Sequence, residues 1–358
     1  MGGRITPRVL MVGPDRSLNG GIVSVVDGYF ENGITDRCGV DYLGTGVGRG
    51  LPAKCAAFVM SLVKYIRILD YYDIVHFHIS AKGSYKRKSL MARMAKSHGK
   101  KVILHEHSGE FARDFEVGND SYREDVRRTF GSADRVIVLS QEWHDYFAEN
   151  VCDPAHIVVL HNGVVIPSVP CDPRLSKDVL FLGRLDSNKS PDVLLRASRD
   201  ALTLSPETRL VFGGDGDVDK YQNLAVKLGI SDRCDFLGWV SGAAKEHLFS
   251  QAGVYCLPSK NEGMPMSVIE AMAHGLPVVS TAVGGVPQLI DNGREGFLID
   301  VDDEAALSDA LCRLIGASEL RGRMGFAARE KAAGGFSVEA SIDGLVQIYS
   351  DLLLEEAE

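Results

Sequence analysis

Two carboxylates stand eight residues apart in the segment VYCLPSKNEGMPMSVIEAMAHGLPVV, where strand and helix signals surround them. Glu262 lies in a polar loop that follows an apolar strand. Glu270 lies on a helix predicted to begin near Pro265, because proline suits a first helical turn. Carboxylates accept hydrogen bonds from hydroxyl groups, and a free helix N-terminus attracts anions such as phosphate. The segment therefore indicates a site for a ligand with both groups, as in a nucleotide sugar.

Glycine turns and cations recur at the ends of other predicted strands. Gly183 ends an apolar strand and is followed by Arg184, with Lys189 in the same loop. Gly20 and Gly21 open an amphipathic stretch after the first strand, and adjacent glycines let a ligand approach the backbone closely. The G-x-G-x-x-G fingerprint of dinucleotide binding is absent from this turn.

Histidines cluster on two successive strands. His76 and His78 share one side of a strand, because strand side chains alternate, and His105 and His107 end the next one. Their spacings match no usual metal-ligand set, so no metal site is predicted. Histidines at strand ends facing a cleft are better interpreted as hydroxyl partners or a proton shuttle.

Composition favours a two-domain globular protein of a reducing compartment. The 358 residues exceed a usual single domain, and 45% hydrophobic with 24% charged residues is ordinary for such proteins. Seven cysteines make an odd count without a C-x-x-C pair, which argues against a disulfide framework or zinc site. No apolar run reaches membrane-spanning length. The expected location is cytoplasmic, with peripheral contact to the cytoplasmic membrane face.

Charge is distributed unevenly along the chain. Residues 1–168 carry 21 Lys/Arg against 19 Asp/Glu, a net of +2, whereas residues 169–358 carry 18 against 29, a net of −11. The basic segment, residues 82–101, holds eight cations and no acidic residue. It is either a solvated helix face or a contact for an anionic membrane surface or a phosphorylated acceptor. Nucleic acid is not an expected partner, because the chain is acidic overall and aromatics do not interleave with these cations.

Strands and helices alternate in two successive arrays, which predicts an α/β fold with two Rossmann-like domains facing across a cleft. The predicted strands are residues 8–13, 40–43, 73–78, 101–105, 135–139, 157–160, 179–182, 208–213, 233–237, 254–257 and 277–280. The predicted domains are an N-terminal acceptor domain at 1–166, a linker at 167–177, a C-terminal nucleotide-sugar domain at 178–335, and a final helix at 336–358 that packs back toward the N-terminal domain.

Taken together, these motifs resemble the retaining, nucleotide-sugar-dependent glycosyltransferases of GT-B fold in family 4. The matching residues are the E-x7-E pair Glu262 and Glu270, the loop Gly183-Arg184-Leu185 with Lys189, the turn Gly284-Gly285-Val286-Pro287, the pair Gly20-Gly21, Asn162-Gly163, and His107. The match runs over essentially the whole chain in the right order. It most resembles the subgroup that builds surface polysaccharides on lipid-linked acceptors.

The resemblance implies a role for each residue. Donor-binding residues would be Gly20, Gly21, Arg184, Lys189, Glu262, Glu270 and the helix start Met266, Ser267 and Val268; catalytic residues would be His107 and Glu262; His76 and His78 would stand toward the acceptor. Arg184 and Lys189 would neutralise the donor diphosphate, Glu262 would accept from sugar hydroxyls, and Glu270 would hold the ribose.

The implied reaction transfers a hexosyl or N-acetylhexosaminyl group with retention, from a UDP-sugar rather than a GDP-sugar, to a glycan or a polyprenyl- or lipid-linked acceptor. No cofactor beyond the nucleotide-sugar co-substrate is expected. Asp215-Gly216-Asp217 spells a metal-binding D-x-D, but its glycine-rich context favours a tight turn, so a metal-independent enzyme is predicted. The alternatives are an inactive nucleotide-sugar-binding scaffold and a sugar-nucleotide epimerase.

Overall fold

The computed structural model describes residues 7–46, 51–80 and 83–354, which form two compact α/β units. One unit runs up to Gly163 and includes the chain from Val338 onward; the other runs from Val164 to Ser337. The segment predicted as a linker, residues 167–177, belongs to the second unit. Lys82 of the basic segment and residues 355–358 of the final helix prediction lie outside the described residues.

The first unit is built on a six-stranded parallel sheet with strand order β2-β1-β3-β4-β5-β6. Its strands are β1 Arg8–Pro14, β2 Gly39–Thr45, β3 Ile74–Ile79, β4 Lys101–Glu106, β5 Arg135–Val138 and β6 Ile157–Val159. Its helices are α1 Gly21–Glu31, α2 Ile34–Arg37, α3 Leu51–Ile68, α4 Gly83–Ser97, α5 Phe111–Glu116, α6 Asp120–Gly131, α7 Gln141–Asn150 and α15 Val338–Leu354.

The second unit repeats this plan with strand order β12-β11-β10-β7-β8-β9. Its strands are β7 Val179–Leu182, β8 Leu210–Gly213, β9 Cys234–Phe236, β10 Val254–Leu257, β11 Val278–Thr281 and β12 Gly296–Ile299. Its helices are α8 Pro191–Leu204, α9 Val218–Leu228, α10 Gly242–Gln251, α11 Met266–His274, α12 Val286–Leu289, α13 Glu304–Gly316 and α14 Ser318–Gly335.

Central strands of both parallel sheets are buried along their whole length. Every residue of β3, β7, β10 and β11 is buried, as expected when helices cover both faces of a sheet. The apolar side chains of α3, α4, α6 and α7 join β3–β6 in one core. α15 packs within the first unit, where its Tyr349 hydroxyl contacts His76 at 2.7 Å.

Three elements differ from what the residue pattern predicts. β12 is not predicted, because GFLI is a short apolar run inside a polar loop. The pattern predicts a break at Gly334-Gly335 after a helix at about 319–333, whereas α14 continues through both glycines. It predicts a helix from Lys54 to Tyr72, whereas α3 ends at Ile68 and a single 3-10 turn follows at Leu69–Tyr71. Among the described helices, none combines the length and apolar character needed to cross a membrane.

Candidate active site

The strand order of the second sheet creates a crevice between the ends of β7 and β10. The chain moves outward from β7 to β8 and β9, and then returns to place β10 on the other side of β7. At such a switch point the loops after the two strands diverge and leave room for a ligand. The loop after β7 carries Arg184 and Lys189, and the loop after β10 carries Glu262.

Backbone hydrogen bonds hold these two loops together. Asp186 Oδ1 accepts from the backbone N–H groups of Asn188 and Lys189, both at 3.0 Å, which folds the first loop into a turn. The Lys260 N–H donates to the Asn188 carbonyl at 2.7 Å, and Asn188 Nδ2 donates to the Asn261 carbonyl at 3.1 Å. These contacts bring Lys189 and Glu262, which follow Asn188 and Asn261, next to each other. Sequence reasoning did not identify Asn188, since its role depends on a contact 73 residues away.

Glu262 and Lys189 form an ion pair at the centre of this crevice. Lys189 Nζ lies 2.5 Å from Glu262 Oε1, and the Glu262 side chain is only 7% exposed. Glu262 is predicted to bind sugar hydroxyls and Lys189 to bind the diphosphate. The structure shows that these two side chains already contact each other. Arg184 differs, because its side chain is 66% exposed and its carboxylate neighbour Asp186 is 3.8 Å away. Arg184 is therefore the more available cation for an incoming anion.

Glu270 is also paired with a lysine that the sequence did not single out. Lys245 Nζ on α10 donates to Glu270 Oε1 at 2.7 Å, and both side chains are largely buried. Nothing in local spacing marks Lys245, because the contact depends on α10 packing beside α11. Both carboxylates of the E-x7-E pair are thus held by cations.

The start of α11 offers a smaller set of free amides than predicted. Pro265 precedes the helix, no side chain caps it, and no acidic residue lies in its first turn. The Val268 N–H, however, donates to the Pro265 carbonyl at 3.1 Å. Val268 is therefore corrected from a donor-binding amide to a packing residue. Met266 and Ser267 remain at the helix start, where the dipole favours an anion.

Glycine at 284 is required by packing against Glu262. Gly284 has φ +53, and a Cβ there would lie 1.8 Å from the Glu262 carbonyl oxygen. The Gly285 N–H donates to the Gly263 carbonyl at 2.8 Å. This turn therefore supports the loop that presents Glu262.

Asp215-Gly216-Asp217 forms a tight turn in the structure. The Leu185 N–H donates to the Asp215 carbonyl at 2.6 Å, and the Asp217 N–H donates to the Leu185 carbonyl at 2.8 Å. Gly216 has φ +116, and a Cβ there would lie 2.4 Å from the Leu185 carbonyl oxygen. The turn braces the loop that carries Arg184.

In the first unit, Gly20 and Gly21 lie at the start of α1. Gly20 has φ +155 and precedes the helix, which has no side-chain cap and no acidic residue in its first turn. Among the described residues, no atom lies within 4 Å of a Cβ built at either glycine. The packing of the described part of the chain therefore leaves this helix start open to a ligand.

Four histidines form a stacked array beside the ends of β3 and β4. His76 Nε2 lies 3.2 Å from His105 Nδ1, and His78 Nδ1 lies 3.0 Å from His107 Nε2. The rings of His76 and His78 are stacked with centroids 4.5 Å apart, and those of His105 and His107 lie 4.0 Å apart. The first three rings are fully buried, and only His107 is partly exposed. Loss of solvent lowers the pKa of His76 and of His107 to about 3 and keeps the rings neutral.

This burial corrects the prediction for His76 and His78. A ring without solvent exposure cannot face an acceptor, so neither of them is an acceptor ligand in this conformation. His78 instead holds one nitrogen of His107, and His76 connects the array to Tyr349.

Three rings of the array form a possible ligand set for a metal ion. One ring nitrogen each of His76, His78 and His105 lie within 4.8 Å of one another. Both nitrogens of His76 are engaged by Tyr349 and His105, so His76 would have to leave one of these partners to bind a metal. The absence of a metal site stays a prediction from the sequence.

The basic segment does not present its cations as one face. Lys88 is buried and donates to the His78 carbonyl and to Ser84 Oγ, and burial lowers its pKa to about 7. Arg93 pairs with Asp125 at 2.7 Å, and Lys96 pairs with Asp134 at 2.8 Å. These cations fasten α4 to neighbouring elements.

Two parallel α/β sheets, with cations and carboxylates at a switch point, define the class of GT-B glycosyltransferases, and the comparisons support this. The model described as "Glycosyltransferase Family 4" matches residues 36–166, and "Glycosyl transferases group 1" matches residues 173–331. Sucrose-phosphate synthase from Thermosynechococcus elongatus has the same fold, with a TM-score of 0.79 at 18% identity over 97% of this chain and 100% of that chain. HepE from Anabaena, solved in complex with UDP-glucose, gives 0.77 at 17% identity over 96% and 100%.

Sequence relatives lead to the same family. A D-inositol 3-phosphate glycosyltransferase of Streptomyces scabiei is 30% identical over 84% of this chain and 73% of its own length. Relatives of that name in Corynebacterium jeikeium and Mycobacterium bovis are 35% and 29% identical over 50% and 84% of this chain. The chain covers 45% and 66% of those two proteins. The chain belongs to the family 4 glycosyltransferases of GT-B fold.

Proposed function

We propose that the chain is a retaining glycosyltransferase that moves a hexosyl or N-acetylhexosaminyl group from a UDP-sugar to a glycan or lipid-linked acceptor. The observation that carries the donor site is the pairing of Glu262 with Lys189 and of Glu270 with Lys245 beside the start of α11. Two carboxylates offer acceptors to sugar and ribose hydroxyls. Two lysines, Arg184 and the helix dipole offer compensation for a diphosphate.

Donor binding would replace the lysine–carboxylate contacts with contacts to the donor. Diphosphate oxygens would draw Lys189 Nζ from Glu262, and the released carboxylate oxygens would accept hydrogen bonds from the sugar. Arg184, at 66% exposure, would meet the diphosphate first. UDP is favoured over GDP by the likeness to HepE, which was solved with UDP-glucose.

The chemical step that fits these residues is a front-face substitution. The bond between the anomeric carbon and the diphosphate oxygen breaks, the acceptor oxygen bonds to the same face, and the leaving diphosphate takes the acceptor proton. His107 would support the positive charge at the anomeric carbon as a neutral ring, because its pKa is lowered to about 3. The proposed enzyme needs no metal, since lysine, arginine and helix dipole supply the positive charge.

Two chemical classes of acceptor are candidates. A polyprenyl- or lipid-linked glycan follows from the resemblance to polysaccharide-building enzymes. We do not propose the predicted membrane contact through residues 82–101, because Lys88, Arg93 and Lys96 of that segment are used inside the first unit. A small phosphorylated polyol is the second candidate, because several relatives are named D-inositol 3-phosphate glycosyltransferases. We propose the lipid-linked class and a peripheral place on the cytoplasmic membrane face.

A ligand screen tests the donor assignment. UDP should raise the melting temperature more than GDP or ADP, because a ligand at 100 times its dissociation constant stabilises by about 2.7 kcal/mol. With a UDP-sugar alone, slow release of UDP should be seen, and EDTA should leave that rate unchanged. An inactive scaffold would bind UDP without releasing it from the sugar, and an epimerase would return an altered UDP-sugar. Activity that disappears with EDTA and returns with manganese would contradict metal independence.

A further inference from the structure

The outward face of α3 is apolar and uncovered within the described residues. Val59, Met60, Val63 and Ile66 are 56%, 73%, 44% and 45% exposed. They recur at helical spacing and so share one stripe. The opposite side of the helix is already used, because Tyr65 and the following Leu69 are fully buried in the core of the first unit. α3 is therefore apolar on two sides, which is unusual for a helix at a protein surface.

All charges on this helix are positive. Leu51–Ile68 contains three cations and no acidic residue, and Lys64 and Arg67 are exposed beside the apolar stripe. A solvated surface helix normally carries charges of both signs on its outer face. An apolar stripe edged by lysine and arginine alone is the pattern of helices that lie in the interface of an anionic bilayer.

Helix α4 contacts α3 on the buried side of that helix, where the Tyr65 hydroxyl donates to the Met91 carbonyl at 3.0 Å. On its own solvent side, α4 exposes Leu90 (41%) and Lys86. The helix in contact with α3 therefore also presents one apolar side chain and one cation to solvent.

We propose that the stripe Val59, Met60, Val63 and Ile66, called here the α3 stripe, inserts into an anionic lipid surface. Lys64 and Arg67 of the same helix would contact lipid phosphates beside it. A second copy of this chain fits less well, because a two-fold interface would set the same cations against their own copies. The inference rests on the proposed function only for the idea that the acceptor is lipid-linked; the stripe itself lies outside the donor site.

Vesicle co-sedimentation tests this surface in the full chain. The protein should bind vesicles of phosphatidylcholine with phosphatidylglycerol and bind pure phosphatidylcholine weakly. Met60→Asp and Val63→Asp should each weaken binding about tenfold, since inserting one apolar side chain is worth at least about 1.4 kcal/mol. Lys64→Glu with Arg67→Glu should remove the preference for anionic lipid and its sensitivity to salt. Val117→Asp is the matched control, because Val117 is 75% exposed in the same unit but ends a different helix, α5.

Other results of these experiments would either support or overturn the assignment of the α3 stripe to a lipid surface. If Met60→Asp does not fold, Met60→Gln with Val63→Thr keeps the volumes and should still reduce binding. Vesicle binding that ignores both sets of variants, or that Val117→Asp reduces equally, would overturn the inference. Self-association that is lost in Met60→Asp, without vesicle binding, would assign the stripe to a second copy and also overturn it. UDP stabilisation, measured on the same variants, should not change. A wild-type protein that binds vesicles but not UDP would refute the proposed function and leave the stripe intact.

Discussion

At the residue scale, each carboxylate of the site is paired with a lysine that compensates its charge. Glu262 is nearly buried, and a buried carboxylate without a partner would be strongly destabilising. Lys189 supplies that partner before any ligand arrives, and Lys245 does the same for Glu270. A substitution at either carboxylate therefore affects stability as well as ligand contact, and the experiment has to separate the two effects.

Glu262→Gln should reduce kcat/KM at least about 100-fold, because a neutral amide accepts hydrogen bonds from sugar hydroxyls more weakly than a carboxylate. It also leaves Lys189 without its carboxylate, so the free energy of unfolding should fall by about 1–3 kcal/mol. The measurements are steady-state transfer and urea unfolding of the same preparation.

A double-mutant cycle with Lys189→Met separates these contributions. The double variant should recover most of the lost stability, since neither charge is left unpaired, but none of the activity. Asp302→Asn is the control, because it removes the partner of Lys260 from an ion pair on the surface of the same unit. Full activity of Glu262→Gln at unchanged stability would contradict the assignment.

At the element scale, two glycine turns serve opposite purposes. Gly284 is needed inside the protein, where its backbone packs on the Glu262 carbonyl. Gly21 begins α1, and in the part of the chain that the structure describes no atom lies within 4 Å of a Cβ at that position. Internal packing therefore explains why position 284 needs a glycine. It does not explain Gly21, for which we infer the close approach of a ligand.

Gly21→Ala should therefore keep or raise stability while lowering activity. Alanine favours a helix over glycine by up to about 1 kcal/mol, and there is no clash to oppose this gain. A methyl group at the open helix start should obstruct a ligand and reduce kcat/KM at least about tenfold. Thermal melts and transfer assays report the two effects. Unchanged activity in Gly21→Ala would show that no ligand approaches this turn, whereas Gly284→Ala should lower stability and activity together.

The elements were largely predictable from sequence, and the side-chain partners were not. Apolar runs bounded by glycine and proline located the two strands whose following loops carry Arg184 and Glu262, because local pattern determines a buried parallel strand. The four-residue β12 was missed because its apolar run is only three residues long and polar residues flank it. Lys245, Asn188 and the inward direction of His76 depend on packing between distant segments. Local spacing shows which residues share a strand face, but not whether that face is covered by α15.

At the scale of the whole molecule, the burial of titratable groups concentrates in the first unit. Burial lowers the pKa of His76 to about 3 and holds those of His78 and His105 well below their usual value. Glu106, next in the chain, has its pKa raised to about 8 by burial. Both effects make the stability of the first unit depend on pH, with opposite signs.

For the histidines, the unfolded chain binds more protons than the native protein between about pH 3 and about pH 6.5. Stability is therefore lost as pH falls below about 6.5, by up to about 1.4 kcal/mol per pH unit for each ring. Glu106 opposes this, because a raised carboxyl pKa loses stability as pH rises from about 4.5 to about 8. Several rings outweigh one carboxyl, so the first unit should weaken on acidification from about pH 7.5 to about pH 5.5.

The two tryptophans allow this loss to be measured in one unit alone. Trp143 is buried in the first unit and Trp239 is 41% exposed in the second, so a Trp239→Phe background reports only the first. Urea unfolding followed by Trp143 fluorescence should show a lower midpoint at about pH 5.5 than at about pH 7.5. His76→Phe with Tyr349→Phe keeps a stacked ring and removes one titrating group with its partner. The difference between the urea midpoints at the two pH values should therefore shrink by about the contribution of one histidine. A midpoint independent of pH would contradict this prediction, because the rings would then lose no more stability on acidification than Glu106 gains.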